Sequence, residues 1–350
     1  MKNKSQNITQ RQGNRIFILE TFSAAAMFLP QIALQGAYGC GLPAVITACI
    51  LAGIYLLVTA KTAKGISVER VLKKYRWVTW IYYLRFLINA GFFYMCIVSL
   101  SRQYLMPGRS GYLIGFPLVL LAYQMNRGGL KERGRVMEGI FWFVLAPVLF
   151  VLLLSVGNLS FDQLVTDGFQ WKTFVQGSFL LLALLHPIEL VWFYRGDMKQ
   201  GDMKLRSLLG VTLLFVGIFV VTVGSLGREL TLFDRNPVMS MAQGAAMPGG
   251  IMARLDIFLI AFWIVGVFCV FSGYLFYANE SVKHAFGKGR IVGVILSYGG
   301  IFLLTEWLVD RQEWFHQYFY PFIYGNLAAG LVLPVILFWL VRRRKDHESV

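Results

Sequence analysis

The sequence has little charge, and little of it is acidic. Only 15% of the 350 residues are charged, with 18 Asp and Glu against 33 Lys and Arg, and there are only 4 His. A water-soluble domain of ordinary composition has about a quarter of its residues charged, so a soluble globule is excluded. The 4 cysteines, Cys40, Cys49, Cys96 and Cys269, are scattered with no CxxC spacing. That argues against both a thiolate metal site and a disulfide framework. The apolar blocks lack the strict alternation of barrel strands, which argues against a membrane β-barrel. The N-terminus MKNKSQNITQRQGNR is polar and basic, and no small-residue cleavage pattern followed by a soluble domain comes after it. No removable signal peptide is expected.

What the chain does have is hydrophobicity, at 57% of residues, arranged in recurring blocks of twenty or so. At about 1.5 Å rise per residue, each block is long enough as a helix to cross a hydrocarbon core of about 30 Å. Helix is the expected form, because it satisfies its backbone internally. Ten spans are predicted, near residues 15–34, 41–60, 78–101, 110–124, 138–157, 175–195, 207–226, 255–278, 290–309 and 318–341, the fourth being short. With Arg15, Arg195 and Arg290 at span boundaries counted with the loops they adjoin, 25 Lys and Arg fall on the side of the two termini and 7 on the other. Basic residues favour the cytoplasmic side, so both termini are expected there. The charge excess is thus read as a topology signal, and the tail Arg342–Lys345 as a stop anchor rather than a nucleic-acid patch.

In this topology the first span runs outward and the sixth inward, dividing ten helices into two sets of five with opposite orientation. The expected fold is an all-α polytopic membrane protein with a five-plus-five inverted repeat in a single transmembrane domain. Repeat one covers about residues 15–157 and repeat two about 175–341. In that plan, substrate sites form at the midplane on discontinuous helices. Two spans carry the signs of a break. In LLALLHPIELVWFY, Pro187 lacks an N–H and clashes with the carbonyl four residues earlier, which costs a regular helix about 3 kcal/mol. Glu189 follows within a turn, and a carboxylate at this depth has to face inward. In RIFILETFSAAAMFLPQIAL, Ser23, Ala24, Ala25 and Ala26 offer small side chains, and Pro30 weakens the turn before it. A ligand pocket and a close-packed helix crossing are both open readings of that stretch. For His186 the alternatives are a ligand contact and an imidazole satisfied on a freed carbonyl; for Glu189, a ligand or proton contact and a structural tie.

Other buried charges are sorted by depth. Arg85 either snorkels to the cytoplasmic side, the favoured reading, or pairs with a carboxylate, for which Glu20, at similar depth, is one candidate. Asp256, Glu306 and Glu138 lie near span ends and are expected at the interfaces. The segment Arg228–Arg254 is the longest external connection, and its NPVMSMAQGAAMPGG stretch reads either as a short helix over a cavity mouth or as a solvated loop.

In order along the chain, SAAAMFLP, RGGLKERGRVMEG (Arg127–Gly139), LLHPIEL and NPVMSMAQ followed by ARLDIFLIAFW (Ala253–Trp263) together resemble one family. It is the permease-like B subunit of endospore germinant receptors, within the amino acid, polyamine and organocation transporter superfamily. The resemblance covers about residues 15–340, although Ser23 and Ala25 stand where that family usually has glycine. It implies a non-enzymatic, cofactor-free and metal-free subunit that senses a small nutrient, expected to be an amino acid, between the first and sixth helices. The implied site is Ser23, Ala24, Ala25, Ala26, His186, Pro187 and Glu189. The implied partners are an A-type subunit and a C-type lipoprotein in the spore inner membrane. The alternative is a proton-coupled amino acid permease using the same pocket.

Overall fold

A computed structural model of the chain describes residues 7–62, 72, 74–164, 168–199, 203–245, 255–286, 290–309 and 312–348. The described chain is helical except for one two-residue strand pair. The first predicted span is two helices, α1 (Gln10–Ala25) and α2 (Leu29–Gly36), separated by a turn. α3 (Gly41–Thr62), α4 (Arg76–Leu100), α5 (Gly111–Arg127) and α6 (Leu130–Ser155) follow. The sixth predicted span is again broken: α7 (Trp171–Leu184), a 3-10 segment His186–Leu190 and α8 (Val191–Tyr194). Next come α9 (Leu205–Leu226), the short α10 (Arg228–Phe233) and α11 (Pro237–Gly244), and α12 (Leu255–Phe286). The chain continues through α13 (Arg290–Val294), a π-helical turn Ile295–Gly299, α14 (Gly300–Val309) and α15 (Gln312–Glu348).

Among the described residues, six helical runs are long and apolar enough to cross a membrane, and a seventh if the bent pair Trp171–Leu184 and His186–Asp197 is one span. The broken and short segments fall below that length, so the count is smaller than the ten predicted spans. The chain is an integral membrane protein by these helices, and its apolar surface follows: Ile50, Leu84, Leu153 and Leu213 all point outward from their helices. Water would penalise such a face, whereas hydrocarbon does not.

Two contacts fix how the broken helices run. At one end, Ile8 and Thr9, just before α1, pair in parallel with Met198 and Lys199, just after the sixth-helix segment. Thr9 then caps α1, accepting from the Gln12 N–H at 3.2 Å while the Gln12 side chain accepts from the Thr9 N–H at 3.0 Å. At the other end, Gly36 of α2 meets Gly177 of α7 so closely that a Cβ on Gly36 would lie 2.8 Å from the Gly177 Cα. The N-terminal end of the first helix therefore sits beside the C-terminal end of the sixth, and the reverse holds at the other face. The two broken helices run antiparallel.

The long connection after α9 holds two short helices, not one. Asn236 precedes Pro237, which occupies the first turn of α11, where its missing N–H costs nothing. The glycine pair that ends the predicted loop helix lies outside the described residues, as do Ser67 and Gln200.

Candidate ligand-binding site at two broken helices

The first break is local chemistry. The α1 hydrogen-bond ladder ends at Ala26, whose N–H still reaches the Phe22 carbonyl at 2.9 Å, and Pro30 has no N–H to return to the carbonyl of Ala26. The turn places Ser23, Ala24, Ala25 and Ala26 in the protein interior, all at 2% exposure or less. Ser23 Oγ and Thr21 Oγ1 are buried without a hydrogen-bond partner. Ser23 also packs against Gly266 of α12, where a Cβ on the glycine would collide with the Ser23 hydroxyl. The small-residue stretch is therefore in part a close helix crossing, the second of the two readings it allowed.

The sixth break follows the same logic. Pro187 removes the N–H that would have bonded the Ala183 carbonyl, and His186 Nδ1 takes that carbonyl at 3.2 Å. The backbone then tightens into the 3-10 segment, and the halves meet at 47°. This segment packs directly on α1, which brings the two breaks together. His186 lies against both Phe93 and Tyr274, with ring centroids at 6.1 and 6.0 Å, while those two rings stack on each other at 5.8 Å, and it meets Phe322 edge-on at 6.0 Å. Its Nε2 has no partner.

Glu189 does not stand alone. Its Oε2 accepts from Arg85 Nη1 at 2.6 Å, and both side chains are buried. Arg85 is also held by Asn326 of α15, whose Oδ1 and backbone oxygen accept at 3.2 and 3.0 Å, and Asn89 donates to the same Oδ1 at 2.9 Å. Gly330, one turn beyond Asn326, leaves room for the carboxylate, since a Cβ there would come within 3.1 Å of Glu189 Oε2. Asn89, Asn326 and Gly330 were missed in the sequence reading. The signal was present: an asparagine inside an apolar span beside small residues, in LINAG and YGNLAAG.

The candidate Arg85–Glu20 pair is not formed. Glu20 is bound instead by Arg133 Nη2 at 2.7 Å. Arg133 is fully buried and also donates to Ser272 Oγ at 2.9 Å and to the Cys269 carbonyl at 2.7 Å. Depth along a span does not fix which face a side chain occupies, and these two arginines face different neighbours. Arg85 pairs with a carboxylate and does not snorkel. Glu138 binds Arg11 at 2.8 Å and Arg15 at 3.2 Å. Asp256 and Glu306 are both buried in the protein, accepting from Gln243 at 3.1 Å and Tyr94 at 2.8 Å.

A cavity of about 280 Å³ opens beside the first break, lined by Met27, Phe28, Gln31 and Gln35, by Ser99 and Gln103, and by Arg235 and Asn236 from the loop before α11. Arg235 and Asn236 belong to the segment between α10 and α11, and α11 itself contributes no residue to the lining. Ring contacts lead inward from the cavity: Phe28 to Phe319 at 5.5 Å, Phe319 to Phe92 at 6.0 Å, Phe92 stacked on Phe322 at 4.2 Å, and Phe322 to His186. Rings alone thus form a continuous path from the cavity to the sixth break.

Comparison with known proteins adds an independent line. The chain is 21% identical over 274 residues to spore germination protein A2 of Bacillus subtilis (strain 168), covering 74% of this chain and 72% of that protein. It is 21% identical to spore germination protein YndE of the same organism across the full length of both. Among solved structures it is similar to Mhp1, a nucleobase-cation-symport-1 family transporter in a closed conformation with bromovinylhydantoin bound. That similarity has a TM-score of 0.64 at 14% identity and covers 98% of this chain and 82% of that one. The fold is therefore that of a membrane transporter. The family described as "Spore germination protein" matches residues 21–314, most of the chain, and with that match the chain belongs to the spore germination protein family.

Proposed function

We propose that the chain is the nutrient-sensing, permease-like subunit of a germinant receptor, with ten spans in a five-plus-five inverted repeat. It binds a small amino acid where its first and sixth helices break. One observation carries this reading: the two breaks pack on each other and leave Ser23 Oγ, Thr21 Oγ1 and His186 Nε2 buried without partners. Unpaired buried groups are costly, about 1–3 kcal/mol each, and a polar ligand would satisfy them. The site takes the Ser23–Ala26 backbone and the His186, Pro187 and Glu189 stretch. The outer cavity is the entrance, and the Phe92–Phe322 stack is the barrier that has to part. In this reading an A-type subunit and a C-type lipoprotein complete the complex in the spore inner membrane.

The transporter fold favours a second reading, a proton-coupled amino acid permease. Purified chain in liposomes separates the two. A sensor binds amino acids, read as a thermal shift, and accumulates no labelled amino acid under a proton gradient; accumulation establishes the permease. Orientation is tested by single cysteines in a background with Cys96, which lines the outer cavity, changed to serine. Ser160→Cys and Gln243→Cys, both at exposed positions, react with an impermeant reagent from outside, whereas Ser67→Cys and Gln200→Cys do not. The reverse pattern would invert the topology.

A further inference from the structure

A larger cavity, about 570 Å³, reaches the sixth break from another side. Its walls are α3, α7 and α15, and no described residue of α1 or α2 lines it. Ile54, Leu331 and Val335 at its rim are exposed, and they sit on helical runs apolar enough to cross a membrane. The mouth therefore opens toward hydrocarbon, not water. Its floor has a different character. Glu189 and His186 both line it, at 4% and 8% exposure, and Glu189 Oε1 and His186 Nε2 have no hydrogen-bond partner.

The direction of the missing bonds can be worked out. Glu189 Oε2 is occupied by Arg85, so Oε1 is a free carboxylate acceptor. His186 Nδ1 faces a carbonyl, which can only accept, so Nδ1 carries the proton and Nε2 of the neutral ring presents a lone pair. Two buried acceptors thus line a mostly apolar groove, together with Trp192, whose Nε1–H is a buried donor without a partner. Apolar walls with a few polar groups at one end are the usual form of a small-molecule site.

We propose that this groove binds an amphiphile dissolved in the bilayer, with its apolar chain along α3 and α15. Its hydroxyl or primary amine head donates to Glu189 Oε1 and His186 Nε2. The mouth selects for hydrocarbon-soluble molecules, and the two acceptors select for a donor head at mid-membrane depth. An occupant would hold the 3-10 segment from the side opposite to solvent access, which makes it a modulator of the sixth break. His186 Nε2 and Glu189 also belong to the proposed nutrient site, so an amphiphile seated in this groove competes with a nutrient for them and fills the groove when no nutrient is bound.

The test uses the full chain in lipid nanodiscs with three photoactivatable ten-carbon probes: one with a hydroxyl head, one with an amine head, and one without a head. The hydroxyl and amine probes are expected to label Leu51–Thr59 and Asn326–Val335 more than the headless chain does. The expected ratio is about five-fold, the factor that one net hydrogen bond of about 1 kcal/mol supplies. Excess decanol removes the label. Leu331→Trp fills the mouth without touching the ion pair and lowers labelling by a similar factor at unchanged Tm. Equal labelling by the headless probe would overturn the proposal, leaving a lipid-filled surface. So would label spread evenly over other exposed apolar positions such as Leu213 and Leu303, or labelling of Leu331→Trp at the level of the parent chain. Amino-acid thermal shifts in the same Leu331→Trp sample report on the nutrient site separately.

Discussion

At the scale of single residues, two buried ion pairs among the described residues share no member and organise the interior. Arg85 is held by Glu189 and Asn326, and Arg133 by Glu20, Ser272 and the Cys269 carbonyl. Taking a charge out of water is repaid only when partner and hydrogen bonds are all in place, so removing one member costs far more than replacing both. Arg85→Met should therefore lower unfolding stability by about 3 to 5 kcal/mol, and Arg85→Met with Glu189→Met should recover most of it. Chemical denaturation in detergent measures both, and a double variant as unstable as the single one would show that the pair is not the unit. That Arg85, Glu189 and Glu20 were buried was legible from their positions inside apolar blocks, whereas Arg133 reads as a basic residue of the segment before the fifth span and is in fact fully buried. The pairing was not legible, because 104 residues separate Arg85 from Glu189 and 113 separate Glu20 from Arg133.

At the scale of elements, the breaks were legible and their supports were not. Pro30 and Pro187 act within one turn of themselves, so a single sequence suffices to place them. The strand pair of Ile8–Thr9 with Met198–Lys199 is only two residues long and non-local, leaving no periodicity to read. The Gly36–Gly177 contact is likewise invisible until both helices are in place. It is also a tight point between the broken helices, since a Cβ on Gly177 would lie 2.9 Å from the Ala37 nitrogen. Gly177→Val must push α2 and α7 apart, and overpacking of this kind costs about 1 to 3 kcal/mol. A drop in Tm of several degrees is expected, with Gly217→Val, where a Cβ meets open space, as the silent control. If both variants melt together, the helices do not bear on each other at this point.

At the scale of the whole molecule, two helices far apart in sequence run antiparallel, are joined at both ends, and break where they meet. The family match and the transporter fold are consistent with a ligand at that meeting point, and the unpaired groups of Ser23, Thr21 and His186 supply the polar contacts it would use. The most direct test is hydrogen–deuterium exchange of the full chain in nanodiscs, with and without a saturating mixture of the twenty amino acids. Binding at the breaks slows exchange in two peptides at once, one covering Thr21–Phe28 and one covering Ala183–Val191, while α9 and α5 stay unchanged. Protection in only one of the two peptides, or confined to helices away from both, would contradict a site built from the paired breaks.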